Sequence, residues 1–131
     1  MAFPVEEKYI RKAETESDVK FPSSYINKLI IENGGELDTE DNLWIFFPVF
    51  DDSDRKRILR TANHIIRENK SAKEWENFPE NGLAIAENGS GDYLIYLIED
   101  NKEIRDDIYF WNHETGELEK VADSIKELFE E

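Results

Sequence analysis

The chain has 131 residues, and 16 Lys and Arg against 31 Asp and Glu give it a net charge of −15 at neutral pH. So acidic a protein repels nucleic acid, which excludes a simple phosphate-binding protein. The absence of cysteine excludes disulfides, thiolate catalysis and thiolate zinc sites, whereas 39% hydrophobic residues, with eight Phe, five Tyr and three Trp, suffice for one packed core. We therefore expect a single domain over residues 1–131.

The first third of the chain predicts two helices. Apolar residues recur at helical spacing over residues 5–17. A second apolar stripe follows Phe21-Pro22, where Ser23 or Ser24 can cap the helix. Asn33-Gly34-Gly35 predicts its end, because glycine readily takes the positive φ that terminates a helix.

The middle of the chain predicts a strand and a third helix. Residues 43–50 are apolar on both faces and rich in aromatic residues, which is typical of a buried strand. The spacing then becomes helical over residues 54–69, where Ile58, Leu59 and Ile65 fall on one apolar face. The opposite face carries His64 among arginines, which predicts a solvent-exposed histidine.

The remaining residues predict several hairpin strands and a closing helix. Apolar runs at 83–87 and 92–98 flank a glycine-containing turn at 88–91, which indicates a β-hairpin. Further strands are expected at 108–111 and near 117–121. The closing helix has four apolar residues at helical positions, Val121, Ile125, Leu128 and Phe129. This order predicts an α+β fold, a single domain with a mainly antiparallel sheet packed with helices.

The residues reveal no catalytic or metal-binding set. The carboxylates of Asp106, Asp107 and Glu114 near His113 could form at most a loose metal site, and the spacing matches no established ligand pattern. The turn at 89–91 lacks the Gly-Lys-[Ser/Thr] ending of a phosphate-binding loop. We predict a protein that is not an enzyme and has no metal and no cofactor. A small carboxylate-based or metal-assisted hydrolase remains the alternative, and it requires two converging carboxylates in a pocket.

The acidic residues are unevenly distributed. Residues 29–54 contain no Lys or Arg, whereas residues 55–73 carry seven basic residues against one acidic, a net charge of +6. A concentrated negative field favours association with a basic protein surface. Four aromatic residues between the acidic groups are expected mainly in the core, Trp44, Phe46, Phe47 and Phe50. We predict that seven carboxylates contact a protein partner, Glu36, Asp38, Glu40, Asp41, Asp51, Asp52 and Asp54.

Four groups of motifs occur in order along nearly the whole chain. They are Phe21-Pro22-Ser-Ser-Tyr25 with Asn33-Gly34-Gly35, then Gly89-Ser-Gly91-Asp92-Tyr93, then Ile108-Tyr-Phe-Trp111-Asn-His113-Glu114, and last Val121-Ala-Asp-Ser124-Ile125-Lys-Glu-Leu128-Phe129. Together they resemble the successive signatures of the SUKH superfamily, the Smi/Knr-like proteins. We expect structural roles for nine of these residues, Pro22, Tyr25, Asn33, Gly34, Gly35, Gly89, Gly91, Asp92 and Trp111.

The resemblance implies an α+β fold and, among bacterial members, an immunity protein that binds and blocks a cognate polymorphic toxin, often a nuclease. Fungal relatives are interaction proteins in the regulation of cell-wall synthesis, and the family has no shared catalytic set. The sequence shows no targeting or membrane-spanning segment, so we expect a cytoplasmic protein with no membrane partner. We predict toxin neutralisation through the acidic surface, with a regulatory scaffold as the alternative.

Overall fold

Helices pack on an antiparallel sheet in this computed structural model, which describes residues 3–39 and 41–129. The helices are α1 Glu7–Ser17, α2 Ser23–Ile31, α3 Arg55–Arg60, α4 Ile65–Ala72 and α5 Ile125–Phe129. The strands are β1 Glu36–Asp38, β2 Leu43–Phe46, β3 Gly82–Glu87, β4 Tyr93–Leu97, β5 Ile108–Trp111 and β6 Leu118–Ala122. These described strands form one sheet in sequence order, with every neighbour antiparallel. The predicted α+β fold is confirmed.

The sheet is strongly curled. Residues paired across antiparallel strands share a face, and the register places Trp44 of β2 and Phe110 of β5 on the same one. Because strands lie about 4.8 Å apart, a flat sheet would separate these residues by roughly 14 Å. Their ring centroids are 5.5 Å apart. The face that carries them is therefore concave, and the opposite face, which carries Ile45 and Trp111, is convex.

Helices α2 and α5 fill the concave face. Tyr25 of α2 meets Tyr96 of β4 edge to face, with ring centroids 5.5 Å apart. Phe129 of α5 lies 5.3 Å from Phe46 of β2 by the same measure. Tyr25 and Trp111, two of the residues expected to have structural roles, are only 1% and 0% exposed. Large aromatic residues thus supply much of the apolar area that stabilises the fold.

Two buried asparagines complete the backbone hydrogen bonding beside β3. The side chain of Asn33 accepts a hydrogen bond from the Val49 N–H (2.8 Å) and donates one to the Val49 carbonyl (2.9 Å). Asn69 of α4 makes the same pair of bonds with Ala84 of β3, at 2.7 and 2.8 Å. Because β2 pairs with β3 over only two residues, these amides replace the bonds that a longer neighbouring strand would make.

The prediction of one helix over residues 54–69 is wrong, because the chain breaks it into α3 and α4. The hydroxyl of Thr61 donates to the Arg57 carbonyl at 2.8 Å and closes α3. The break separates the predicted apolar face into two parts. Ile65 is fully buried, whereas Ile58 and Leu59 are 41% and 69% exposed.

The predicted solvent-exposed position of His64 is also wrong. His64 precedes α4 as its N-cap, and its Nδ1 accepts a hydrogen bond from the Arg67 N–H at 3.3 Å. The imidazole lies 5.3 Å from the Phe50 ring, between centroids. Partial burial lowers the pKa of His64, which favours the neutral form that this acceptor role requires.

Several predicted boundaries shift. Helix α1 begins at Glu7, and the strand expected over 43–50 ends at Phe46, two residues before Pro48, which has no N–H to donate to a neighbouring strand. The closing helix begins at Ile125, so Val121 belongs to β6, where it is 40% exposed. The short strand β1 was not predicted, because three residues are too few to show a period.

The expected serine cap of α2 is wrong. Pro22 occupies the N-cap position, and no side chain caps the helix there. Ser23 is the first helical residue, and the hydroxyl of Ser24 donates to an Asp106 carboxylate oxygen at 3.0 Å. Ser24 therefore joins α2 to the loop before β5 instead of capping its own helix.

Candidate protein-binding surface

The β1–β2 hairpin presents the first acidic group beside exposed apolar residues. Glu36 and Asp38 of β1 pair in register with Ile45 and Leu43 of β2, so all four share the convex face. Ile45 and Leu43 are 39% and 47% exposed. Asp41 lies exposed in the connecting turn. None of the three carboxylates makes an ion pair or a side-chain hydrogen bond with a described residue, so their charge is available to a partner.

The second acidic group is engaged largely within the protein. Asp51 is only 3% exposed; its carboxylate accepts a hydrogen bond from the Ser53 N–H (2.9 Å) and lies 3.6 Å from Nε of Arg57. Asp54 caps α3 by accepting from the Arg57 N–H at 2.8 Å, and its other oxygen is 2.7 Å from Arg57 Nη1. Hydrogen bonds from Arg57 lower the pKa of Asp54. Arg57 therefore partly neutralises both carboxylates.

Asp52 and Glu40 complete the seven carboxylates predicted to bind a partner. Asp52 is exposed, and its carboxylate lies near the hydroxyl of Tyr9. Partial burial and this nearby carboxylate raise the pKa of Tyr9. Glu40 lies outside the described residues. The carboxylates most available to a partner are thus those of the hairpin together with Asp52.

A depression of about 360 Å³ joins the hairpin to α3. Glu36 and Ile45 line it on the hairpin side, Arg57 and Arg60 on the α3 side, and Asp51 also borders it. The structure therefore brings one carboxylate of each acidic group, Glu36 and Asp51, to the same depression, with the basic helix α3 as its far wall. We call this the hairpin–α3 surface: residues 36–39 and 41–46 of the hairpin, the depression, and α3.

The N-terminal segment attaches α3 to the rest of the protein. The Phe3 ring centroid lies 5.7 Å from Nζ of Lys56, 4.5 Å from Cζ of Arg57 and 5.6 Å from Cζ of Arg60. Cations at such distances are attracted to the face of an aromatic ring. The Phe3 carbonyl in turn accepts a hydrogen bond from the Asn33 N–H at 2.8 Å. Although none of its residues is buried, α3 is held in place.

The aromatic residues between the acidic groups do not supply the exposed apolar contacts. Three of them are almost wholly buried, Trp44, Phe46 and Phe47. Phe50 is 36% exposed but packs against His64. The exposed apolar side chains of this region are instead those of Leu43 and Ile45. Side chains alternate between the two faces of a strand, so these two residues share one face of β2. The sequence alone does not show which face of β2 is exposed.

The two glycine-containing hairpin turns meet at one end of the sheet. An Asp92 carboxylate oxygen accepts from the His113 N–H at 3.1 Å and lies 2.6 Å from its ring Nδ1. Asn88 donates to the other oxygen at 3.1 Å. Burial alone would raise the pKa of Asp92, but the hydrogen bonds from His113 and Asn88 outweigh it and lower that pKa. Asp92 thus fastens the β5–β6 turn to the β3–β4 turn.

The loose metal site considered around His113 is not assembled. Asp107 lies 2.9 Å from Arg105 and 3.4 Å from Lys120, and Asp106 accepts from Ser24, whereas His113 faces Asp92. Across residues 3–39 and 41–129, no group of three or more His, Asp or Glu side chains is placed to hold a metal ion.

The packing of His113 against Gly91 allows a test of this turn. Both Gly89 (φ +80°) and Gly91 (φ +102°) adopt positive φ. A Cβ at Gly91 would lie 3.1 Å from Cγ of His113, whereas one at Gly89 would meet nothing within 4 Å. We expect Gly91→Ala to lower the free energy of unfolding by about 2–3 kcal/mol and Gly89→Ala by about 1 kcal/mol, measured by urea denaturation. Equal losses would show that His113 does not pack against Gly91.

The fold and these contacts define the class of protein: an α+β protein whose curled antiparallel sheet carries helices on its concave face. The particular family follows from comparison with family models. A model of the SMI1 / KNR4 family (SUKH-1) matches residues 4–131, and the chain belongs to this family. The resemblance seen in the sequence motifs is confirmed.

SUKH proteins are generally immunity proteins without catalytic activity, so membership indicates binding to a protein partner. A comparison with curated protein sequences finds no match. Among the helices of the described residues, none combines the length and the apolar character needed to cross a membrane.

Proposed function

We propose that this protein is an immunity protein that binds and neutralises a cognate bacterial toxin in the cytoplasm through the hairpin–α3 surface. The observation that supports this proposal is the set of carboxylates at Glu36, Asp38 and Asp41, which pair with no described residue and lie beside the exposed side chains of Leu43 and Ile45. A toxin with a basic surface complements this arrangement. A nuclease has such a surface, because it must hold phosphate groups.

Charge and apolar contact have separate roles in this proposal. Unpaired carboxylates accelerate the encounter with a basic surface, and this contribution weakens with salt. Apolar side chains excluded from water on binding slow dissociation. A stable complex of ordinary size covers about 800 Å² on each partner, so the contact must extend beyond the three carboxylates to the depression and α3.

An immunity gene is expected to lie directly downstream of the gene for its toxin. The proposal is therefore tested with the protein encoded directly upstream of this chain. We expect co-expression of the two to rescue growth and to give a complex that purifies intact. In the triple variant Glu36→Gln, Asp38→Asn, Asp41→Asn, we expect the association rate constant at low salt to fall roughly tenfold, with a flatter dependence on ionic strength. Stopped-flow or surface-binding kinetics across a salt series measure both.

A matched control separates local charge from net charge. The triple variant Glu99→Gln, Asp100→Asn, Glu103→Gln removes the same three charges from exposed positions between β4 and β5. We expect it to change the association rate constant much less. Equal effects of the two triple variants would reject the hairpin as the contact, and the absence of both rescue and complex would reject the immunity function.

A further inference from the structure

Helix α3 carries two apolar side chains that are exposed to solvent and not packed into the core. Leu59 is 69% exposed and Ile58 is 41% exposed, and no residue of the helix is buried. The helical period of the sequence continues these residues into the buried Ile65 of α4, but the break at Thr61 turns them away from the core. Two adjacent exposed aliphatic side chains are therefore a consequence of the fold.

The helix is fixed before any partner arrives. Asp54 caps its first turn and pairs with Arg57, and the Thr61 hydroxyl bonds the Arg57 carbonyl. Asp51 approaches Arg57 from the preceding loop, and the Phe3 ring contacts the cations of the helix. An element already ordered loses little conformational entropy on binding, which favours affinity.

The charges around Ile58 and Leu59 are opposite in sign to those of the hairpin. Neither Arg55 nor Lys56 makes an ion pair with a described residue, and the Lys56 ammonium lies over the Phe3 ring. On this side of the depression a partner therefore meets aliphatic side chains flanked by cations. On the hairpin side it meets aliphatic side chains flanked by carboxylates that have no ion-pair partner in the described part of the chain.

We infer that α3 is the apolar anchor of the partner interface, and that the partner offers an apolar pocket bordered by carboxylates next to its basic patch. This inference rests on the proposed function and specifies the partner further. Six helical residues present too little area for a stable dimer, which needs about 800 Å² on each copy. The charge pattern favours a partner that spans α3 and the hairpin together, and a purely basic partner surface would be repelled by Arg55 and Lys56.

The test uses the co-purified upstream-encoded protein and single substitutions on the full chain. We expect Leu59→Ala to raise the dissociation constant about tenfold or more, mainly through faster dissociation, as anchor residues do. We expect Arg55→Glu to weaken the complex as well, because it places a carboxylate opposite the partner's carboxylates. Both side chains are exposed, so thermal unfolding of the two variants should match that of the parent protein.

Leu118→Ala is the matched control, because this leucine is 40% exposed on β6, at the opposite edge of the sheet. It should leave the dissociation constant unchanged. If the complex forms normally but neither Leu59→Ala nor Arg55→Glu weakens it, the assignment of α3 as the anchor is overturned and the proposed function stands. If the two proteins do not associate, both the proposed function and this assignment are overturned. Concentration-dependent dimerisation of the isolated chain that Leu59→Ala abolishes, without an effect on the partner, would identify a second copy as the occupant and reject the inference.

Discussion

Replacing Asn33 by Ala is expected to lower the free energy of unfolding by about 2–4 kcal/mol. The Asn33 side chain is buried and makes two hydrogen bonds to Val49, one to its N–H and one to its carbonyl. The variant leaves both backbone groups without these bonds in the interior, and an unsatisfied buried group costs about 1–3 kcal/mol. Urea denaturation at neutral pH measures the change.

Asn81→Ala is the control for the loss of an asparagine. Asn81 is exposed, and its amide makes one long hydrogen bond, 3.3 Å, to the Ile98 carbonyl. We expect a loss below about 1 kcal/mol from this variant. Similar losses in the two variants would contradict the structural role of Asn33. Because Asn33 also borders the depression, its variant should weaken the partner complex, whereas Asn81→Ala should not.

Most of the fold could be predicted from local patterns, and the failures share one physical origin. Hairpins and helices with a clear period, such as the strands from residue 83 onward, are predictable because the spacing of their apolar residues reflects which of their faces is buried. The division of the third helix was missed because it depends on contacts made from elsewhere. The Thr61 hydroxyl accepts a hydrogen bond from the Asp51 N–H, and the Asn69 amide donates one to the carbonyl of Ala84, 15 residues further along. A helical period cannot encode such partners.

The candidate surface was only partly predictable for the same reason. Sequence identifies the acidic stretch, but it does not show which carboxylates a neighbouring cation neutralises. Asp54 and Arg57 are three residues apart, the spacing of neighbours on a helix, so this pair could have been anticipated. The burial of Asp51 and the exposure of Leu59 could not, because both follow from the position of α3 against Phe3 and the loop that carries Asp51.

A buried lysine on α2 affects stability in the opposite direction from Asn33. The side chain of Lys28 is 10% exposed, and its ammonium donates to the Gly34 carbonyl. Nζ lies 4.9 Å from the Phe46 ring centroid and 5.9 Å from that of Phe129, so the surroundings are largely apolar. Burial lowers the pKa of Lys28 to about 8, although Glu32, 4.0 Å away, opposes the shift. The folded state therefore binds this proton less tightly than the unfolded chain does.

Lys28→Met is expected to raise the free energy of unfolding at pH 7 by about 1–3 kcal/mol. Each unit by which burial lowers the pKa corresponds to about 1.4 kcal/mol of destabilisation, which the variant removes. The variant also loses the hydrogen bond to the Gly34 carbonyl, which offsets part of this stabilisation. The unfolded chain protonates near pH 10.5 and the folded protein near 8, so the charge penalty is complete below pH 8 and is relieved as pH rises from 8 to 10.5. The difference in the free energy of unfolding between the variant and the parent protein should shrink over that pH range, measured by urea denaturation.

Lys126→Met, at an exposed position on α5, is the control and should show no such trend. A Lys28→Met variant less stable than the parent protein at pH 7 would show that the ammonium's contacts with Gly34 and the two rings exceed the cost of burying its charge.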